Sequence, residues 1–129
     1  MKTDTKQNFL QACHRQPVSH TPVWFMRQAG RYMAEYRAIK ERSNFLEMCR
    51  TPDLAVEITL QPIEKLGVDA AILFSDIMIP IEKMGIPIAF NPGPIIETPI
   101  RTRAQIEQLR IPDPQESVPF VMEALRRLR

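Results

Sequence analysis

Pro22-Val23-Trp24-Phe25-Met26-Arg27-Gln28-Ala29-Gly30-Arg31-Tyr32 sets two arginines four residues apart, directly after an apolar segment that reads as a β-strand over residues 23–26. Arginine carries a permanent charge and a planar fork of donors that matches a carboxylate in bidentate fashion. Two of them beside a turn that Gly30 permits form a clamp for a dianion at the C-terminal end of a strand, and the glycine lets a ligand or backbone approach closely. The residues leave the anion open: a phosphate, a dicarboxylic acid or a structural Asp or Glu pair would each satisfy such a clamp. The glycine is too sparse for a nucleotide loop, since neither Gly-rich spacing nor Lys-Ser/Thr follows it.

Outward from this run, residues 8–15 read as a short helix with Phe9, Leu10 and Cys13 available to one face, followed by a loop at 16–20. Downstream, 32–41 and 45–49 suggest short helices, and Thr51-Pro52-Asp53 offers an N-cap hydroxyl followed by proline at the first helical position. The spacing of Leu54, Ile58 and Ile63, with Val56, Leu60 and Leu66 nearby, predicts a helix over 52–66 that Pro62 kinks or shortens and Gly67 ends. The continuous apolar segment 70–74 then has the character of a strand buried on both faces of a parallel sheet. A short apolar helix near 77–84, a strand at 86–90, a turn at Asn91-Pro92-Gly93-Pro94, and helices over 103–109 and from about 116 complete the map.

Strand, helices, strand is the βαβ grammar of an α/β fold, whose right-handed crossovers gather the loops at the strands' C-terminal ends. Arg27 and Arg31 follow the first strand and Asp76 follows the second, so the charged groups are expected on one face. An aspartate in that position also has a plain structural use, capping the next helix through backbone amides.

Composition narrows the function classes. With 129 residues and 44% hydrophobic content, the chain can hold one modest core. Seventeen Lys and Arg against fifteen Asp and Glu are spread along the chain, which argues against a nucleic-acid surface, and Arg126, Arg127 and Arg129 suit a helix's last turn. Cys13 and Cys49 lack metal-ligand spacing and follow no secretory signal, so reduced thiols and no metal site are expected. No apolar run approaches the ~20 residues of a membrane span. His14 and His20 precede the first strand and read as solvated or locally bonded. Trp24, Met26, Phe74 and Met78 read as packing residues, and Arg37 and Arg50 as structural helix-surface arginines.

The opening run closely resembles the N-terminal signature of the uroporphyrinogen decarboxylase family. The resemblance continues in order through Glu35-Tyr36-Arg37, Cys49-Arg50-Thr51-Pro52, Thr59-Leu60-Gln61-Pro62 and Asp69-Ala70-Ala71-Ile72-Leu73-Phe74-Ser75-Asp76-Ile77. It covers the chain from about Phe9 onward and is less distinctive after Met84. It implies a (β/α)8 TIM-type barrel, which needs roughly 250 residues. The chain is therefore expected to be the N-terminal portion of one such α/β barrel domain, occupying residues 1–129, with a helical pattern still running at Leu125-Arg126-Arg127-Leu128-Arg129.

The resemblance also implies an activity: decarboxylation of the four acetate side chains of uroporphyrinogen III to coproporphyrinogen III, without a cofactor. Asp76 and Arg27 are the implied catalytic residues, and Arg27, Gln28, Ala29, Gly30, Arg31 and Asp76 the implied substrate-binding set, with Phe74 and Ser75 at the cleft floor. A tyrosine, a hydroxyl residue and a histidine implied from later strands have no counterpart within these residues, so no activity is expected of this chain alone. A homodimer in the cytoplasm, or the plastid stroma of a photosynthetic eukaryote, is implied for the full-length protein, with neither nucleic acid nor membrane as a partner. Two readings compete: a related barrel methyltransferase with later zinc ligands, which the Arg-Gln-Ala-Gly-Arg run argues against, and a non-catalytic domain binding a polycarboxylate.

Overall fold

The central element is a helix of fifteen residues, α4 (Pro52–Leu66), whose boundaries follow from its end residues. Pro52 occupies the first turn, where its missing N–H costs nothing, and Gly67 ends the helix in the left-handed region at φ 65°, its N–H bonded to Ile63 O. Thr51 is the N-cap as expected, but its hydroxyl makes no cap bond; its carbonyl accepts from Ala55 N instead. Pro62 is buried within α4, which continues through it to Leu66.

The computed structural model describes residues 5–25 and 32–129, with side chains described from Asn8 onward in the first helix. Around α4 stand α1 (Thr5–Cys13), α2 (Ala34–Arg42), α3 (Phe45–Arg50), α5 (Met78–Lys83), α6 (Arg103–Glu107), α7 (Pro114–Ser117) and α8 (Pro119–Leu128). α2, α3 and α8 pack directly on α4. The helix expected from about Glu116 is divided, because Pro119 forces Val118 out of helical geometry (φ −133°, ψ 50°) and starts α8 afresh. Asn44 and Glu47 form a reciprocal capping box at the start of α3.

Met33, Tyr36, Ile39, Met48 and Ile58 form the core cluster, with Phe45, Leu54 and Phe74 packed against it. Phe74 places its ring 5.8 Å from both Tyr36 and Phe45, in tilted and edge-on arrangements. Ala55 and Ala124, one on α4 and one on α8, are both buried. As expected, Arg126 and Arg127 lie in α8's last turn; both pair with Glu123, and Arg127 also reaches Asp53 at the start of α4. These exposed pairs add little beyond orientation.

Neither of the strands expected at 23–26 and 70–74 forms among the described residues; Met26 lies outside them. The reason is geometric. A strand exists through a ladder of consecutive bonds to its neighbours, whereas these two segments share one backbone bond, from Asp69 N to Val23 O at 3.0 Å. The sheet present is a short antiparallel pair, β1 (Ala89–Phe90) with β2 (Pro94–Ile95), in the register Ala89 to Ile95 and Phe90 to Pro94. The strand expected at 86–90 is thus cut to two residues, and Pro94, which has no N–H to give, is exposed on its partner. No barrel is present among the described residues.

An accessible surface of 9713 Å² on 14.9 kDa measures this openness. A compact monomer of that mass exposes about 7,000 Å². Val23, Phe25 and Ile72 of the two extended segments are exposed, and Ile77 and Ile111 reach 85% and 99%.

Asp69 does for these segments what a ladder would otherwise do. Its carboxylate accepts from Val23 N at 2.9 Å and faces His20 Nε2 at 2.8 Å. The Val23 N–H, and secondarily the His20 ring, hold this carboxyl below the usual carboxylate range against the opposing effect of burial.

Two outcomes follow. Ile58→Ala, at a site with no exposure, costs about 2–5 kcal/mol, whereas Ile111→Ala stays within about 0.5 kcal/mol; urea midpoints read by helical circular dichroism separate them. Because the folded state lowers the Asp69 pKa, its contribution is present above the unfolded carboxylate value and is lost as pH falls through the lower folded one. Amide exchange at Val23 is therefore expected to stay protected at mildly acidic pH and to open only below the usual carboxylate range.

Candidate functional site

Asp76 stands where the apolar segment gives way to α5, and the local chain explains its pose. Its Oδ1 accepts the Met78 N–H at 2.8 Å and its carbonyl accepts from Ile79 N, a local turn just before α5, whose own N-cap is Ile77 with no side-chain cap bond. This turn occupies one carboxylate oxygen. Among the described residues no donor is bonded to the other, and the side chain is half-buried, neither lost in the core nor fully solvated.

Cys49 of α3 is buried within reach of this carboxylate's charge. Its thiol is pushed up to about 12, first by burial and second by the negative charge of Asp76, with Arg50 opposing. Such a thiol stays protonated and inert at neutral pH. Arg50 itself pairs with Glu82 of α5, which ties α3 to the helix that follows Asp76 and gives this arginine the structural use expected of it.

Thr59 joins the same region to α4. Its hydroxyl donates to Ala55 O at 2.6 Å and accepts from Phe74 N at 2.8 Å, so a buried helix residue carries the backbone two residues before Asp76. Residue-type reasoning passes over Thr59, because a threonine inside a helix ordinarily bonds back to its own turn. The signal available was its position on the buried face of α4, one residue after Ile58.

The expected substrate set Arg27, Gln28, Ala29, Gly30 and Arg31 lies outside the described residues, as does Met26. Both flanks are fixed. On one side Val23 is held by Asp69; on the other Met33 is in the core and its carbonyl accepts from Arg37 N. Arg37 Nη1 also donates to Tyr32 O at 3.0 Å, directly after the run. Phe74 lies in the core, as packing, and Ser75 is exposed. Trp24 is half-buried, and its indole N–H finds no acceptor among the described residues. His20 is locally bonded, to Asn8, Ser19 and Asp69, and exposed His14 takes no part. No group of three His, Cys, Asp or Glu is placed to hold a metal among the described residues.

The described residues thus fix an aspartate just before α5, bring its charge to bear on a buried thiol of α3, and hold both flanks of the arginine run. The chain belongs to the uroporphyrinogen decarboxylase (URO-D) family, whose pattern it matches over residues 4–129. It is 60% identical over 121 residues to a protein of Trichlorobacter lovleyi and 59% identical over 121 residues to one of Geobacter metallireducens, both named uroporphyrinogen decarboxylase. Each match covers 94% of this chain and 36% of the relative. A protein of the same name from Syntrophotalea carbinolica is 58% identical, over 95% of this chain and 36% of its own. The chain thus spans about a third of the length of the curated relatives it matches.

The burial of Cys49 gives a chemical expectation. Exposed Cys13 is expected to react with a thiol reagent at pH 8 within minutes, while buried Cys49 reacts only after denaturant is added. Mass spectrometry of the labelled peptides reads both, and rapid labelling of Cys49 in the folded chain would contradict that burial.

Proposed function

We propose that this chain forms the N-terminal part of a cofactor-independent uroporphyrinogen decarboxylase, which removes the four acetate carboxyl groups of uroporphyrinogen III to give coproporphyrinogen III. The observation that carries the reading is the Asp76 carboxylate, held by the Met78 N–H through one oxygen and, among the described residues, open at the other. Membership of the URO-D family supports it.

Loss of CO₂ from an acetate side chain leaves an electron pair that needs a destination. Protonation of the adjacent pyrrole ring provides one: the bond to the carboxyl carbon breaks, the pair moves into the cationic ring, CO₂ leaves, the exocyclic carbon takes up a proton to become a methyl group, and the ring gives back the proton it had gained, which restores the pyrrole. The substrate supplies its own electron sink, so the protein has to supply position, a proton and negative charge. Asp76 Oδ2 accepts from pyrrole N–H groups, and its charge stabilises the protonated ring. Arg27 and Arg31 grip side-chain carboxylates, and Gln28, Ala29 and Gly30 complete that loop. Guanidinium has a pKa above ~12, so Arg27 serves best by holding charge beside the group that delivers the proton.

The fold that goes with this reading is a TIM-type barrel in which segments 23–26 and 70–74 become strands flanked on both sides, in one domain with residues 1–129 as its first part. A cytoplasmic homodimer goes with the same reading. Among the described residues no helix is long and apolar enough to cross a membrane.

The test is an anaerobic assay in which this chain and the longest product of its gene each receive uroporphyrinogen, with products oxidised and separated by carboxylate count. The four-carboxylate product is expected from the longer protein. There Asp76→Asn lowers kcat about 10²–10³-fold, and Arg31→Ala chiefly raises KM, by about tenfold or more. Failure of both proteins to convert the substrate would overturn the reading.

A further inference from the structure

We infer that Asp69 is a positioning residue for this decarboxylation, a carboxylate that fixes the register between the segment leading into Arg27 and the segment leading into Asp76. The inference rests on the function proposed above.

Asp69 takes up both backbone groups of a single residue: its own N–H donates to Val23 O at 3.0 Å, and its Oδ2 accepts from Val23 N at 2.9 Å. The side chain is only 2% exposed, so the carboxylate is committed to these partners. No other backbone bond joins residues 21–25 to residues 69–76 among the described residues. Two extended segments with one shared rung have a weakly specified register. At Asp69 the choice becomes unique: a one-residue slip would bring up Pro22, which has no N–H, or an amide pointing the other way, and a two-residue slip would carry His20 away from the carboxylate.

A second hold comes from the N-terminal helix. His20 Nε2 lies 2.8 Å from Asp69 Oδ1, and Asn8 Nδ2 lies 2.7 Å from His20 Nδ1. An amide N–H can only donate, so Nδ1 accepts and Nε2–H is the donor to Asp69; the neutral ring satisfies both neighbours. Asn8 is buried, and its Oδ1 accepts from Ser19 N at 3.1 Å, which fixes the loop that carries His20. The chain from α1 to Asp69 is therefore continuous.

The consequence reaches the substrate groups by counting. Arg27 is four residues beyond Val23, and Asp76 is seven beyond Asp69. A two-residue slip would keep the side chains on their faces yet shift residues 21–25, which lead into Arg27, by about 7 Å relative to Asp69. A bidentate guanidinium–carboxylate contact, made at about 2.8 Å, does not survive such a displacement.

The experiment compares Asp69→Ala and Asp69→Asn in the longest product of the gene, with uroporphyrinogen as substrate. The alanine variant is expected to raise KM at least tenfold and to release intermediates with five to seven carboxylates. The asparagine variant, whose Oδ1 still accepts from Val23 N, stays within about threefold of the parent. A merely structural role would lower the amount of active enzyme and leave KM and the product ladder unchanged, and that result would overturn the inference. If the alanine variant fails to fold, His20→Ala keeps the Val23 rung and carries the comparison: a rise in KM of about threefold or more is expected, and an unchanged KM overturns it. An inactive parent protein would instead defeat the decarboxylase reading itself, whereas an active parent whose variants keep its KM defeats only the role of Asp69.

Discussion

Burial of one face of α4 is the constraint on which the rest of the structure depends. Ala55, Ile58, Thr59, Gln61 and Pro62 all lie on its buried side, and α2, α3 and α8 cover it. A fully buried isoleucine such as Ile58 contributes about 1.5–3 kcal/mol relative to exposure. The same face holds the polar connection to the site, since Thr59 accepts the Phe74 amide. Core and site are thus coupled through neighbouring residues of one helix turn: what packs Ile58 also places the backbone that leads to Asp76.

Among the described residues the sheet is confined to the short β1–β2 pair, and the physical cost is visible. Exposed Val23, Phe25 and Ile72 belong to segments whose composition suits burial on both sides. The buried indole N–H of Trp24 and the buried Oε1 of Gln61 have no partners among the described residues. Isolated donors and acceptors of this kind cost about 1–3 kcal/mol each. In a closed barrel, neighbouring strands would supply ladder bonds and cover the apolar side chains. The fold proposed for the longer protein is the arrangement that relieves both deficits.

Helices were legible in the sequence where local rules decide them. The Thr51-Pro52 start and the Gly67 stop bracket α4 at the expected residues, and the apolar spacing identified its buried face. Pro119 divided the final helix, a rule equally local that the reading of 116 onward did not apply. Strands failed for a different reason: apolar β-branched runs report a preference for being flanked, and the flanking partners of 23–26 and 70–74 are not among the described residues. Of the candidate site, Asp76 stands out in the sequence by its place after an apolar run, and in the structure it bonds the Met78 N–H just before α5. Thr59 and Asp69 were seen only as letters of a family pattern, because their bonds to Phe74 and Val23 join residues 15 and 46 apart, beyond any local rule.

The two readings of Asp76 are compatible, and their compatibility is informative. A carboxylate free of local bonds would rotate about its side-chain torsions, and ordering it on substrate would cost entropy at the moment of binding. The Met78 N–H removes that freedom by fixing Oδ1, so Oδ2 is presented in one direction before any ligand arrives. The turn before α5 and the role proposed for Asp76 make the same demand on an aspartate, a fixed orientation of its carboxylate.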